Sequence, residues 1–385
     1  MKSLIKLMVM FTVATCASPG VGEVLQTIKR VSPPPQKHAS GPRMEVVFVL
    51  DTTGSMGGML AGAKQKIWAI ANKLKSAEPT PAITFGLVAF RDRGDSYVTL
   101  VTQLTDDIDA VYQQLFALHP GGGGDTPESV NEALHRALYD VRWSDDRAAL
   151  RVMFLVGDAP PQMNYHDDVK YAETCRIARD RGIVINTLQC GRMPETEKVW
   201  REIARLTGGS YSALEQNGGS VRISTPFDAE IVRLNAALDA TIVPYGTEAE
   251  RVNVARSRAM LSRMASEGVA DRAAFLGKLE PGAVLSGKGD LVLEVISDRF
   301  SLSSIDPQKL DPRFRNMFAA EREDVILRLA DERRALQEQL GGLLRQRAAV
   351  VAEQLAARAG SDALELSAFE VLETQAGRKG FRFGK

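Results

Sequence analysis

Aromatic side chains make up only 6% of this 385-residue chain, and its 48 basic residues are balanced by 48 acidic ones. Nucleic-acid proteins usually carry a basic excess or basic patches interleaved with aromatics. Neither is present, so DNA, RNA and anionic membrane surfaces are not the expected partners. Only three cysteines occur, none in a Cys-x-x-Cys pair, and the four histidines (His38, His119, His135, His166) are scattered. A zinc cage needs such ligands close together and is not expected. No nucleophile stands beside a base, so the chain is not read as an enzyme. Its main long apolar stretch is the N-terminal one, which is short for a membrane-spanning helix.

That stretch, Met1 to Ser18, has a basic start, a short apolar core and small residues at its end. This is the pattern of a signal peptide over residues 1–17 and implies export, to a bacterial periplasm or beyond. Val13-Ala14-Thr15-Cys16 also resembles a lipoprotein box, although Thr15 is an unusual residue before the cysteine. Lipidation at Cys16 would be the only route to a membrane. Residues 18–43 read as a linker stiffened by Pro33-Pro34-Pro35. Cys175 and Cys190 remain. Export invites a disulfide, but one falls in a helix and the other at the end of the next strand, so bridge and buried thiols stay open alternatives.

The most informative segment is Glu45-Val-Val-Phe-Val-Leu-Asp51-Thr52-Thr53-Gly54-Ser55. An apolar run of this length reads as a buried parallel strand. It ends in an acid and two hydroxyls, and ligands of open α/β sheets bind just beyond the strands' carboxyl ends. Arg151 to Val156 is a second such run, ending in Gly157-Asp158. Between them lies Gly121-Gly122-Gly123-Gly124-Asp125-Thr126-Pro127-Glu128, with Pro127 expected in the first turn of a helix carrying Val130, Ala133, Leu134 and Leu138. Carboxylates and hydroxyls form a hard oxygen set suited to Mg²⁺, with Ca²⁺ or Mn²⁺ as alternatives.

In order and spacing these pieces resemble a von Willebrand factor type A domain over roughly residues 44–240. That family's metal-ion-dependent adhesion site has the pattern Asp-x-Ser-x-Ser, then Thr, then Asp. Asp51, Thr53, Ser55 and Asp158 match, with Thr53 in place of the first serine. Thr126 maps to the middle threonine, and Asp125 is an alternative to it. The resemblance implies a doubly wound, mainly parallel α/β sheet and an open metal position that a partner protein's Asp or Glu carboxylate completes. Asp51-Thr52-Thr53-Gly54-Ser55 also resembles the nucleophile motif of haloacid-dehalogenase-like phosphotransferases. The threonine variant of that motif belongs to ion-pumping ATPases, whose membrane helices have no counterpart here. A third reading is an envelope structural or assembly protein that uses the fold without metal.

The remaining pattern predicts strands at 82–90, 97–103, 183–189 and 210–213 alternating with helices, the 82–90 and 97–103 strands forming an antiparallel edge. Arg91, Asp92 and Arg93 are expected in a solvated turn, and Asp167 and Asp168 at the start of the next helix. Residues 241–385 read as mostly helical, including one helix over 248–267 and a long one over 321–359. Leu291 to Ile296 suits either a strand or a short helix. Leu329, Leu336, Leu343 and Val350 form a seven-residue repeat, and Ile326 and Leu340 a second one interrupted by Arg333 and Arg347. Self-association through a coiled coil and packing against the chain's own helices both fit.

Overall fold

Runs of β-branched and apolar residues build a six-stranded sheet in the computed structural model, which describes residues 41–124, 126–216, 223–357 and 363–383. The expected signal segment, Cys16, nearly all of the linker and Asp125 lie outside the described residues. The first strands are β1 (Arg43–Asp51), the two-residue β2 (Ala77–Glu78), β3 (Ala82–Phe90) and β4 (Thr99–Thr105). β5 (Leu150–Gly157), β6 (Ile183–Cys190) and β7 (Tyr211–Leu214) follow. The order is β4-β3-β1-β5-β6-β7, with all neighbours parallel except the β3–β4 edge pair. The doubly wound, mainly parallel sheet is therefore present, with its antiparallel pair at the anticipated edge.

Alternation along each strand sends side chains to two apolar layers. Val46, Leu50, Phe85 and Phe154 face α1 (Gly57–Lys75) and α2 (Ile108–Ala117). Val47, Val49, Phe90 and Leu155 face α3 (Val130–Tyr139), α4 (Tyr171–Asp180) and α5 (Pro194–Thr207). β1 is central, so burial on both faces explains its unbroken apolar run. Leu50 pairs in register with Val156, which puts Asp51 and Asp158 at neighbouring strand ends.

The C-terminal region is a bundle of α6 (Asp228–Ala240), α7 (Glu248–Leu261), α8 (Ser266–Leu279), α9 (Leu291–Ile296) and α10 (Pro312–Arg315), with α11 (Ala319–Ala357) and α12 (Ala363–Gly377) after them. The expected single helix over 248–267 is two elements. α7 stops at Leu261, and α8 restarts at Ser266 to carry Phe275 and Leu276 into the layer under α1. Leu291–Ile296 is helical, capped by the Asp290 carboxylate accepting from the Val292 N–H. The seven-residue row Ile326, Arg333, Leu340, Arg347 is the buried stripe of α11, packed on its own chain.

The two arginines that break the apolar pattern are thus interior residues. Arg333 is fully buried and donates to both Asp290 oxygens (2.6 and 3.2 Å) and to Thr241. Arg347 donates to Asp228 (2.9 Å) and Asp271 (2.7 Å). A third buried pair joins the bundle to the sheet layer: Arg272 of α8 holds both oxygens of Asp109 in α2 at 2.6 and 2.7 Å. Farther on, Leu372, Ala376 and Phe381 enter the α1 layer, and β8 (Arg382–Phe383) pairs antiparallel with β2. The chain is consequently docked on the sheet layer as far as Phe383. Among the described residues no helix is long and apolar enough to cross a membrane. Cys175 and Cys190 are buried free thiols.

Candidate metal centre

The centre lies at the carboxyl ends of β1 and β5. β1 delivers Asp51 at its last position, only 1% exposed. A single 3-10 turn, Gly54–Met56, then leads directly into α1 and brings the next hydroxyls back toward that acid. The Thr53 N–H and its hydroxyl both donate to Asp51 Oδ1, at 2.8 and 2.6 Å. Thr53 Oγ1 lies 3.3 Å from Ser55 Oγ, so Asp51, Thr53 and Ser55 form one contiguous oxygen row. Gly157 makes the approach of Asp158 possible: a Cβ there would stand 2.9 Å from Asp51 Cβ and 3.2 Å from the Trp200 ring.

Asp158 follows β5. Its carbonyl accepts from the Thr196 hydroxyl (2.9 Å), and its Oδ2 accepts from the Gln216 amide (2.7 Å). The same amide reaches the Ser55 carbonyl at 3.4 Å, bridging the two arms of the site. Thr126 is exposed on the glycine loop. Pro127 is not in a helical turn, because α3 begins at Val130. The segment instead runs alongside the Asp158 loop: the Glu128 N–H donates to the Pro160 carbonyl and the Gln162 N–H to the Glu128 carbonyl. Extended pairing there replaces the extra turn that Pro127 suggested.

That pairing buries Glu128, which sequence reasoning passed over as part of the loop. It is 3% exposed, and its Oε1 lies 3.2 Å from where a Gly123 Cβ would stand, with Thr53 Cβ at 3.0 Å from the same point. Gly123 has φ +75°, so both its conformation and its lack of a side chain permit this closure. The signal available in the sequence was an acid placed directly before the Ser129-Val130 helix start.

The loop after β3 is no solvated turn. Arg91 donates to the His119 carbonyl (2.6 Å) and to Ser96, and stacks on Tyr97. Asp92, 4% exposed, accepts from the hydroxyls of Ser129 (2.6 Å) and Tyr165 (2.8 Å). Asp95 accepts from the Gly123 N–H at 3.2 Å. Arg93 pairs with Asp167 and Asp168, which precede α4 rather than open it. This loop therefore ties the glycine loop, the start of α3 and the Asp158 loop together, and its two arginines are engaged away from the centre.

The result is a concentration of acid without a matching cation among the described residues. Asp51 Oδ2 and Glu128 Oε2 are buried with no hydrogen-bond partner there. Burial pushes Asp51 from 3.8 up to about 7, opposed by the Thr53 bonds and the Asp158 backbone N–H and reinforced by the charge of Asp158. Burial and then the charges of Asp51, Asp92, Asp95 and Asp158 push Glu128 up to about 8. Such isolated carboxylates are costly to ionise, and a hard divalent cation would compensate them. No three carboxylate, imidazole or thiol groups converge tightly enough to cage a metal among the described residues. The set that fits is mixed: Asp51 and Asp158 with the Thr53 and Ser55 hydroxyls, and water completing the coordination as Mg²⁺ prefers.

A family profile agrees with the fold. Residues 45–225 match the family profile described as von Willebrand factor A domain. A rat von Willebrand factor A domain-containing protein 7 is 35% identical over 140 residues, covering 35% of this chain and 14% of the relative. The human protein of that name is 32% identical over the same length. The chain thus spans a small part of these relatives. Among solved structures, mussel byssus proximal thread matrix protein 1 with a zinc-occupied MIDAS motif shares 17% identity at TM-score 0.36, covering 46% of this chain and 42% of that one. The SpRpn10 VWA domain shares 11% at TM-score 0.35, covering 46% and 88%.

Proposed function

We propose that this chain, with a von Willebrand factor A domain at residues 45–225, is an exported protein-binding module whose binding face depends on a divalent cation, Mg²⁺ first. Domains of this family generally mediate protein–protein interaction. The observation that carries the metal reading is the buried, half-satisfied Asp51 carboxylate beside Thr53, Ser55 and Asp158. Asp51 and Asp158 would hold the ion, with the Thr53 and Ser55 hydroxyls turned to it as neutral donors. Held by two acids and hydroxyls, such an ion keeps residual positive charge and exchangeable water, which suits it to accept a partner's Asp or Glu oxygen. Gln216 donates to Asp158 Oδ2, which leaves Oδ1 for the ion. Export rests on the signal-like residues 1–17.

The test is capture from the envelope extract of the producing organism, with bait in Mg²⁺, in EDTA, and as Asp51→Asn. A protein retained only by the wild type in Mg²⁺ supports the reading and identifies the partner. Equal retention in all three arms transfers the function to a metal-independent surface.

A further inference from the structure

We infer that Glu128 is a third carboxylate of this centre, acting on the cation through an intervening water and tuning how strongly the centre recruits a partner's acid. The inference rests on the metal reading above. Glu128 is anchored for such a role: its own N–H and carbonyl both bond to the Asp158 loop, which fixes its backbone beside the centre. It points at Thr53 across Gly123, where a methyl group would already crowd both. Glu128 Oε2 is buried and finds no partner among the described residues, and Asp51 Oδ2 shares that condition. Two acceptors in that state, one in the carboxylate that Thr53 holds and one in the carboxylate whose Oε1 faces Thr53 across Gly123, call for a donor to serve them. Because no three acids among the described residues are close enough to share one ion directly, a water spans the gap better than a direct bond does. Mg²⁺ retains waters readily, and groups that hold a metal ion's waters and ligands are worth about 10–100-fold in affinity.

A third negative charge has two opposite consequences. It strengthens the hold on the cation, and it cancels positive charge that would otherwise attract an incoming carboxylate. Removing it should weaken metal binding while strengthening acid capture, a signature that loss of packing alone does not produce.

The experiment compares full-chain wild type, Glu128→Gln and Asp51→Asn. Mg²⁺ and Mn²⁺ affinities are measured by calorimetry, and acetate binding at saturating Mn²⁺ by water-proton relaxation. Glu128→Gln should lose about ten-fold in metal affinity and bind acetate several-fold more tightly, whereas Asp51→Asn should lose metal altogether. Wild-type behaviour of Glu128→Gln beside a metal-free Asp51→Asn overturns the role of Glu128 and leaves the metal centre standing. Undiminished metal binding by Asp51→Asn sinks both. Folding is checked by melting in EDTA, where Glu128→Gln should be no less stable than wild type because it removes an uncompensated buried acid. A lower melting temperature there overturns the inference.

Discussion

The molecule buries acids in two places and treats them differently. In the helical bundle and at its seam with the sheet layer, Asp290, Asp228 and Asp109 each meet a buried arginine: Arg333, Arg347 and Arg272. At the carboxyl ends of β1 and β5, Asp51 and Glu128 are as deeply buried, yet each keeps an oxygen without a donor among the described residues. The bundle shows how this chain satisfies a buried acid when the purpose is to hold helices together. Against it, the strand-end acids stand out as groups that lack such a partner among the described residues, the lack that the proposed cation would fill. Arginine is present nearby, in Arg91 and Arg93, but is turned to other partners.

The largest way to break the comparison is to make the bundle resemble the centre. Arg333→Ala would leave Asp290 buried and alone, and should cost about 3–5 kcal/mol in thermal or denaturant unfolding. Pairing it with Asp290→Asn should return much of that loss, and a full loss in the double variant would show that packing, not charge, governs the site. Asp51→Asn should behave oppositely and leave the metal-free protein at least as stable. Next in size is the ion itself. Mg²⁺ at 100 times its Kd should stabilise the wild type by about 2.7 kcal/mol and Asp51→Asn not at all, as read by melting with and without EDTA.

A smaller, graded effect is expected with pH. Asp51 is near 3.8 when unfolded and about 7 when folded without metal, so between those values the native state carries the extra proton. Stability of the metal-free protein should therefore fall as pH rises through that window, and Glu128 extends the fall toward 8. Added Mg²⁺ should help more at pH 8 than at pH 5; equal protection at both would detach the ion from these acids. The smallest effect is assigned to Thr126→Ala. Because it removes a neutral hydroxyl rather than a carboxylate, it should change Mg²⁺ affinity far less than Asp51→Asn does in the same calorimeter.

The sheet was legible because two strands buried on both faces leave continuous apolar runs, each ending in an acid. The oxygen row Asp51-Thr53-Ser55 was legible for the same reason, since its spacing is local. Glu128 was not, because its burial depends on pairing with Pro160 and Gln162, over thirty residues away. The long helix shows the same limit. Arg333 and Arg347 looked like interruptions of an apolar repeat, and only their distant partners Asp290 and Asp228 reveal them as part of the interior. The break between α7 and α8 escaped notice because Phe275 and Leu276 pack on α1 rather than on their own neighbours.

The short ribbon in which Ala77 meets Phe383 has a consequence for the order of assembly. Its two halves are roughly 300 residues apart, among the most costly contacts to close early. Leu372, Ala376 and Phe381 complete the layer that α1 begins. A ribosome would thus release α1 and its half of the sheet long before the side chains that cover them exist. Until then Trp68 and its neighbours lie under an incomplete roof, and a nascent chain of this protein is the form in which that apolar surface is open to a chaperone.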